Sequence, residues 1–274
     1  MGLRIGTNVS SMAAQRNLAR ATESLNKNYL HLSTGKRIAN AADDAAGLSI
    51  SSRLNAQVRG LDQAVRNAND GVSMVQTAEG GLAEIENALV RMRELSVQAN
   101  NGTLSNADKD NLQSEFTQLR SLVDQVANST SFNGSDLLNT SAAVTLQVGS
   151  GTTSGVDTMS VSTVSATATS LSINTLDIGS TGDASAAIAA LDTALETVTS
   201  SRSQFGAVQN RLGAVISSLT VRSENLSAAS SRIADVDVAR ETAELTKNSI
   251  LQQAAISVLA QANAQPQAAF RLLG

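Results

Sequence analysis

Residues 32–50 read LSTGKRIANAADDAAGLSI. Two adjacent carboxylates, Asp43 and Asp44, follow the basic pair Lys36 and Arg37, with Gly35 and Gly47 on either side. The stretch is either a catalytic loop or a joint between helices, and the periodicity around it decides which. Upstream, Leu18, Leu25 and Leu32 recur at spacing seven. Continuing that series arrives at Arg53, whereas the downstream series starts at Leu54. A register break therefore lies inside the quoted segment. It reads as a joint.

Downstream, Leu54, Leu61, Ala68, Val75, Leu82 and Leu89 keep the spacing of seven, with Val58, Val65 and Val72 interleaved. That is the seam of a long helix packed along its length against other helices. From about Asp44 to about Asn100 it would extend roughly 85 Å at 1.5 Å per residue. Asn100-Asn101-Gly102 supplies the stop signal. A second helix is expected from Ser105 or Asn106, with the stripe Leu112, Phe116, Leu119, Val123 and Val126, ending before SFNGSD and its Asn133-Gly134 turn.

Between Thr140 and Gly179 the composition turns to Ser, Thr, Val and Gly. Val144, Leu146 and Val148 alternate with polar residues, as do Met159 and Val161, then Leu171 and Ile173. This period of two predicts short strands in hairpins. Helical spacing then returns through Leu191, Val198, Phe205, Leu212, Leu219, Leu226 and Ile233, with a second seam of Ala194, Val208, Val215, Ala229 and Val236. This register breaks before Arg240. A new stripe follows, Leu245, Asn248, Leu251, Ala255, Val258 and Ala262, expected to end near Pro266.

Matching breaks at both ends predict that the N- and C-terminal halves pair antiparallel. The expected fold is mainly α: a long, coiled-coil-like helical bundle of the two halves with a small β-hairpin region in the middle. The expected layers are terminal helices at 1–42 and 236–274, long helices at 43–140 and 180–235, and a Ser/Thr-rich hairpin region at 141–179. The expected seam of the long helices is Leu54, Leu61, Val75, Leu82 and Leu89 against Leu212, Leu219 and Leu226.

Composition narrows the function. Aromatic residues make up 2% of the chain, which suits helix seams better than a deep pocket. The net charge is −4 and no Lys or Arg occurs from Ser121 through Ser201. The excess positive charge, Arg4, Arg16, Arg20, Lys27, Lys36, Arg37, Arg53 and Arg59, lacks interleaved aromatics and reads as a solvated or partner-facing surface, not a nucleic-acid face. No apolar run is long enough to span a membrane. The start, MGLRIGTNVSSMAAQ, does not have the pattern of a cleaved secretory signal. With no cysteine and one proline, the chain escapes two slow steps of refolding, as suits a protein that travels unfolded.

The terminal helices raise a further question. Residues 1–34 and 241–274 carry thin apolar stripes. Ordering them costs on the order of 1–2 kcal/mol per residue, which so little apolar burial does not offset. They are expected to order only in an assembly, by folding coupled to association. The contact residues expected there are Leu18, Leu25, Leu32, Leu245, Leu251, Ala255, Val258 and Leu259, with Ala254 and Ala262 allowing close helix approach.

LSTGKRIANAADDAAGLSIS, RNANDGVSMVQTAEGGLAEIENALVRMRELSVQAN and the C-terminal SILQQAAISVLAQANAQP resemble bacterial flagellin, the filament subunit of the flagellum. The resemblance covers roughly the first 140 and last 90 residues. It implies terminal helices paired in an inner core, disordered in the free monomer, with an outer layer of long helices and a hairpin. It implies polymerisation with copies of itself, swimming motility, export by the flagellar secretion apparatus, and a place in the extracellular filament. The partners implied are the filament cap, the hook–filament junction proteins and an export chaperone on the C-terminal helix. Arg91, Leu95 and Glu115 match positions recognised in flagellins by the host Toll-like receptor for flagellin, with Leu95 and the Arg91 guanidinium as a small anchor patch. Only the Ser/Thr-rich segment stands where many flagellins carry large outer domains, and Ser160 to Ser172 is a candidate for O-glycosylation. A hook–filament junction protein and a surface adhesin are the alternative readings.

Catalysis is not expected. Asp43 and Asp44 read as helix-start residues beside free N–H groups. The single histidine, His31, precludes an HExxH zinc site or a Ser–His–Asp triad within one chain. Gly80-Gly81 and Asn133-Gly134 lack the strand–glycine–helix context of a phosphate loop. No catalytic, cofactor or metal residues are expected.

Overall fold

A computed structural model describes residues 7–273, with side chains through residue 265. Arg4 lies outside the described residues. The fold is mainly α, with helices α1 (Val9–Thr34), α2 (Ala45–Ala99), α3 (Asn106–Ser129), α4 (Ala184–Ala234) and α5 (Val238–Leu273). Two antiparallel hairpins lie between α3 and α4: β1 (Ser131–Phe132) with β2 (Ser135–Asp136), and β3 (Ala143–Gln147) with β4 (Thr158–Ser162). The chain forms two compact units, Met1–Val58 with Asn225–Gly274, and Arg59–Glu224. The unit boundaries fall inside α2 and α4. The breaks between helices fall at residues 35–44 and 235–237, where the register breaks predict them.

In the unit Arg59–Glu224, heptad leucines become core. Leu61, Val75, Leu82, Leu89, Leu212 and Leu219 are all buried. Cross-helix polar pairs set α2 and α4 antiparallel: Asp62 with Ser223, Glu79 with Gln209, Glu86 with Arg202, and Arg93 with Asp192. Helix α3 opens with a capping box, in which Ser105 Oγ accepts from Asp108 N while the Asp108 carboxylate accepts from Ser105 N. At its far end, Asn133 (φ 49°) and Gly134 (φ 79°) make the tight β1–β2 turn, where two successive left-handed residues match the twist of the strands.

The alternation at Val144, Leu146, Met159 and Val161 does form a hairpin, with Val144 opposite Val161 and Leu146 opposite Met159. The alternation at Leu171 and Ile173 does not. Residues 163–183 are irregular, and both side chains enter the core. The reason lies in the hydrogen bonding of this segment, because a buried backbone must find partners somewhere. Local turns supply some, Leu171 N donating to Thr167 O and Ile173 N to Ala168 O, and α3 side chains supply others: Asp124 accepts from Ala168 N, Gln113 from Ile178 N and Asp110 from Ser180 N, while Arg120 donates to Asn174 O. These bonds take the place of a strand ladder.

In the unit Met1–Val58 with Asn225–Gly274, α1 packs against α5, and the two helix breaks meet. Lys36 and Asp235 form an antiparallel bridge. Arg37 N and Ile38 N donate to Ala234 O, and Val236 N donates to Gly35 O. Gly35 ends α1 in the left-handed conformation (φ 68°) that terminates a helix without a Cβ penalty. Gly47, in the first turn of α2, has no room for a side chain. A Cβ there would overlap the Asp44 carboxylate and come within 2.6 Å of Ile38 Cδ1. Helix α5 corrects one expectation: it does not end near Pro266 but runs through it to Leu273. The carbonyl that Pro266 leaves without its helical donor is that of Ala262, and Asn8 Nδ2 donates to it at 2.8 Å.

Candidate assembly interface

The acidic pair of the opening motif has a structural role, and its two members do different jobs. Asp44 caps α2, its Oδ1 accepting from Gly47 N at 2.8 Å. Asp43 turns the other way. Its Oδ2 accepts from Ala39 N and Asn40 N, and its Oδ1 pairs with Lys27 Nζ at 2.8 Å. The hydrogen bond from Lys27, then those from the Asn40 and Ala39 amides, hold the Asp43 carboxyl down at about 2, against an ordinary value of 3.8. A depressed folded-state value contributes stability above the ordinary carboxylate value and loses it as pH falls through the folded one. With α1 ordered, as in the assembled chain, the Asp43 carboxyl resonance is therefore expected to titrate near pH 2, and the joint to loosen between pH 4 and pH 2 (about the window those two values define). Lys27→Ala should move that midpoint upward. A wild-type midpoint near 3.8 would contradict the geometry.

Above the joint, α1 and α5 are linked by a ladder of polar side chains. Asn28 Nδ2 donates to Glu241 Oε1 at 2.6 Å and Asn248 Nδ2 to Asn28 Oδ1 at 2.8 Å. Gln252 Nε2 donates to Thr22 Oγ1, and Ser11 Oγ to Asn263 Oδ1 at 2.7 Å. His31 Nδ1 lies 3.2 Å from Glu241 Oε1 and its Nε2 3.7 Å from Asp43 Oδ2. The partner numbers descend on α5 as they rise on α1, so the pair is antiparallel. Such a ladder fixes register, since a shifted pairing strands several amides at once. Apolar periodicity does not reveal it. The available signal is Asn248, a polar residue inside the stripe Leu245–Val258.

Apolar burial along this pair is thin. Of the expected contact residues, Leu25 is buried; Leu18, Leu32, Leu245, Ala255 and Leu259 are half-buried. Leu251 and Val258 remain 48% and 54% exposed, and Ile250 and Ile256 are open as well. A groove of about 440 Å³ runs between the two helices, lined by Ala14, Ala21, Leu251, Ala254, Ala255 and Val258. Around His31 a second, polar cleft sets Lys27, Arg37 and Arg240 against Asp235, Glu241 and Glu244, so its charges balance. Among the described residues, no cluster of His, Asp and Glu could hold a metal ion, and no helix is long and apolar enough to cross a membrane.

The long-helix seam residues lie in the buried core already described, except Leu54 and Leu226, which are half-buried in the other unit. Arg91 and Glu115 are brought together on the surface. The Arg91 guanidinium donates from Nε and Nη2 to Glu115 Oε1, the latter at 2.8 Å, and pairs with Glu94 at 2.9 Å. Both carboxylates favour its charged form. Leu95 corrects an expectation, because it is 0% exposed and part of the core and so cannot serve as a surface anchor. It follows Met92 on the inward face of α2, whereas the exposed large apolar residues in this stretch of α2 are Val90 and Val97. In the Ser/Thr-rich segment, Ser160, Ser162, Thr169, Ser170 and Ser172 are exposed. Thr163 is buried and donates its hydroxyl to the carbonyls of Thr140 and Ala142.

Two family descriptions match the chain. The bacterial flagellin N-terminal helical region covers residues 5–143 and the bacterial flagellin C-terminal helical region covers residues 188–273. A flagellin of Halalkalibacterium halodurans is 44% identical over 270 residues, spanning 98% of this chain and 99% of the relative. A flagellin of Bacillus subtilis is 39% identical over 303 residues, spanning 99% and 100% respectively. Among solved structures, Bacillus cereus flagellin superposes with a TM-score of 0.50 at 34% identity, covering 60% of this chain and 94% of that one. Matched at both ends and across nearly its whole length, the chain belongs to the bacterial flagellin family.

Proposed function

We propose that this chain is a structural subunit that polymerises into the extracellular flagellar filament and serves swimming motility. The observation that carries the reading is the α1–α5 pair, whose polar ladder sets the register while Ile250, Leu251, Ile256 and Val258 stay open to solvent. A helix pair this thinly buried gains most from further copies packed on its open apolar side, and repeated heterologous contacts that do not close generate a helical polymer. In this reading residues 1–42 and 236–274 form the inner layer, free to disorder in the unassembled chain. Residues 43–140 and 180–235 form the layer outside it, and 141–179 the outer surface.

Export proceeds unfolded through the flagellar secretion apparatus, consistent with a chain that has no cysteine and one proline. The further partners are the filament cap, the hook–filament junction proteins and an export chaperone on α5. The exposed Arg91–Glu115 pair is the surface offered to the host Toll-like receptor for flagellin. O-glycans, where present, would sit on exposed hydroxyls such as Ser160 and Thr169, not on Thr163. The role is structural and not enzymatic. The test is seeded growth of the purified full chain followed by electron microscopy. Long tubes are the expected product, and a chain that stays monomeric over added seeds would overturn the reading.

A further inference from the structure

We infer that Asn8 and Pro266 form a conditional clasp, in which a proline makes the end of α5 depend on pairing with the start of α1. Pro266 carries no N–H, so the carbonyl four residues back, that of Ala262, cannot receive its helical hydrogen bond. In an unpaired α5 that carbonyl is left to solvent, and the proline favours unwinding of the helix around it. Here Asn8 Nδ2 donates to Ala262 O at 2.8 Å, replacing the missing donor, and α5 continues as helix to Leu273.

The same side chain has a second task. Asn8 Oδ1 accepts from Ser11 N at 3.0 Å and caps α1. One amide thus starts one helix with its oxygen and sustains the other with its nitrogen. Beside it, Ser11 Oγ donates to Asn263 Oδ1, so the freed carbonyl and its neighbour are both engaged from the first turn of α1. Ala262 is itself buried at this contact.

This division of labour gives the proline a purpose. An alanine in its place would let α5 continue by its own hydrogen bonding, whether or not α1 was present. With proline, the helix end is well satisfied in one register only, the one that brings Asn8 to Ala262. The clasp is therefore a register check that couples ordering of the two ends of the chain. Its contacts lie within one chain; that they form as the ends order in the polymer rests on the assembly reading above.

The two claims are separated by a double-mutant cycle on the full chain with Asn8→Ser, Pro266→Ala and the pair combined. Serine is as good a helix cap as asparagine but too short to reach across, so Asn8→Ser removes the donor and keeps the cap. Amide hydrogen exchange of residues 255–265 is measured in free chain and seeded polymer, alongside the monomer concentration left at the end of growth. With Pro266 in place, Asn8→Ser is expected to speed exchange and raise the residual monomer by about fivefold to tenfold, a typical effect of losing one hydrogen bond. Added to Pro266→Ala, it should change either by less than about twofold, because the helix then supplies its own donor. Equal effects in both backgrounds, or none in either, would overturn the clasp. The exchange effect is read in the polymer, where both ends are ordered; if wild type does not polymerise, the assembly reading fails, and exchange in a free chain with protected ends decides the clasp.

Discussion

A chain ending after residue 244 will remain soluble, keep the fold of Arg59–Glu224, and neither start nor extend a polymer. The deletion leaves Glu241 but removes the rest of the polar ladder on α5, including Asn248, Gln252 and Asn263. It also removes the open apolar residues Ile250, Leu251, Ile256 and Val258. The buried core of Arg59–Glu224 draws on α2, α3, α4 and the segment between, and none of it comes from the deleted stretch. Seeded growth should therefore fall from long tubes to none, while thermal unfolding of the remaining core stays within a few degrees of the full chain. Normal filaments from the shortened chain would remove the C-terminal helix from the assembly.

The second large effect concerns that core. Phe116 is one of only four phenylalanines, sits on α3 and is completely buried. A core built, apart from Phe205, of Leu, Ile, Val, Ala and Met cannot readily collapse into the hole that a lost phenyl ring leaves. Phe116→Ala should cost about 3–5 kcal/mol, the usual range for Phe truncation in a packed core. At this size that corresponds to a fall of roughly 10 °C in the unfolding midpoint. Loss of α3 packing would also release the segment that Gln113, Arg120 and Asp124 hold. A midpoint unchanged within error would show that this core is not what stabilises the unit.

The long helices and their ends are legible directly in the sequence, because a spacing of seven sustained over many turns has one geometric meaning. Their breaks are legible too, since Leu32 and Leu54 cannot share a register. The segment after β4 is not. Leu171 and Ile173 alternate like strand residues, yet their own N–H groups close local turns onto Thr167 O and Ala168 O, and the backbone around them is held by acids, an amide and an arginine projecting from α3, an arrangement with no periodic signature. The same holds for the terminal pair. Periodicity marks its leucines, but its specificity lies in Asn8, Asn28, Asn248 and Asn263, whose partners sit more than two hundred residues away. Leu95 shows the converse error. A motif match makes it a contact, and its position in the inward stripe of α2 is the information that should prevail. Proline usually ends a helix, so Pro266 reads as a stop, and only the donor on Asn8 explains its place inside one.

Hydrogen exchange, compared between unassembled chain and filament, tests the central claim most directly. The prediction is rapid exchange in α1 and α5 of the free chain, slow exchange in the core of Arg59–Glu224, and protection of all of them once filaments form. If α1 and α5 were as strongly protected in the free chain as the core, the terminal helices would be stable alone and assembly would not be what orders them.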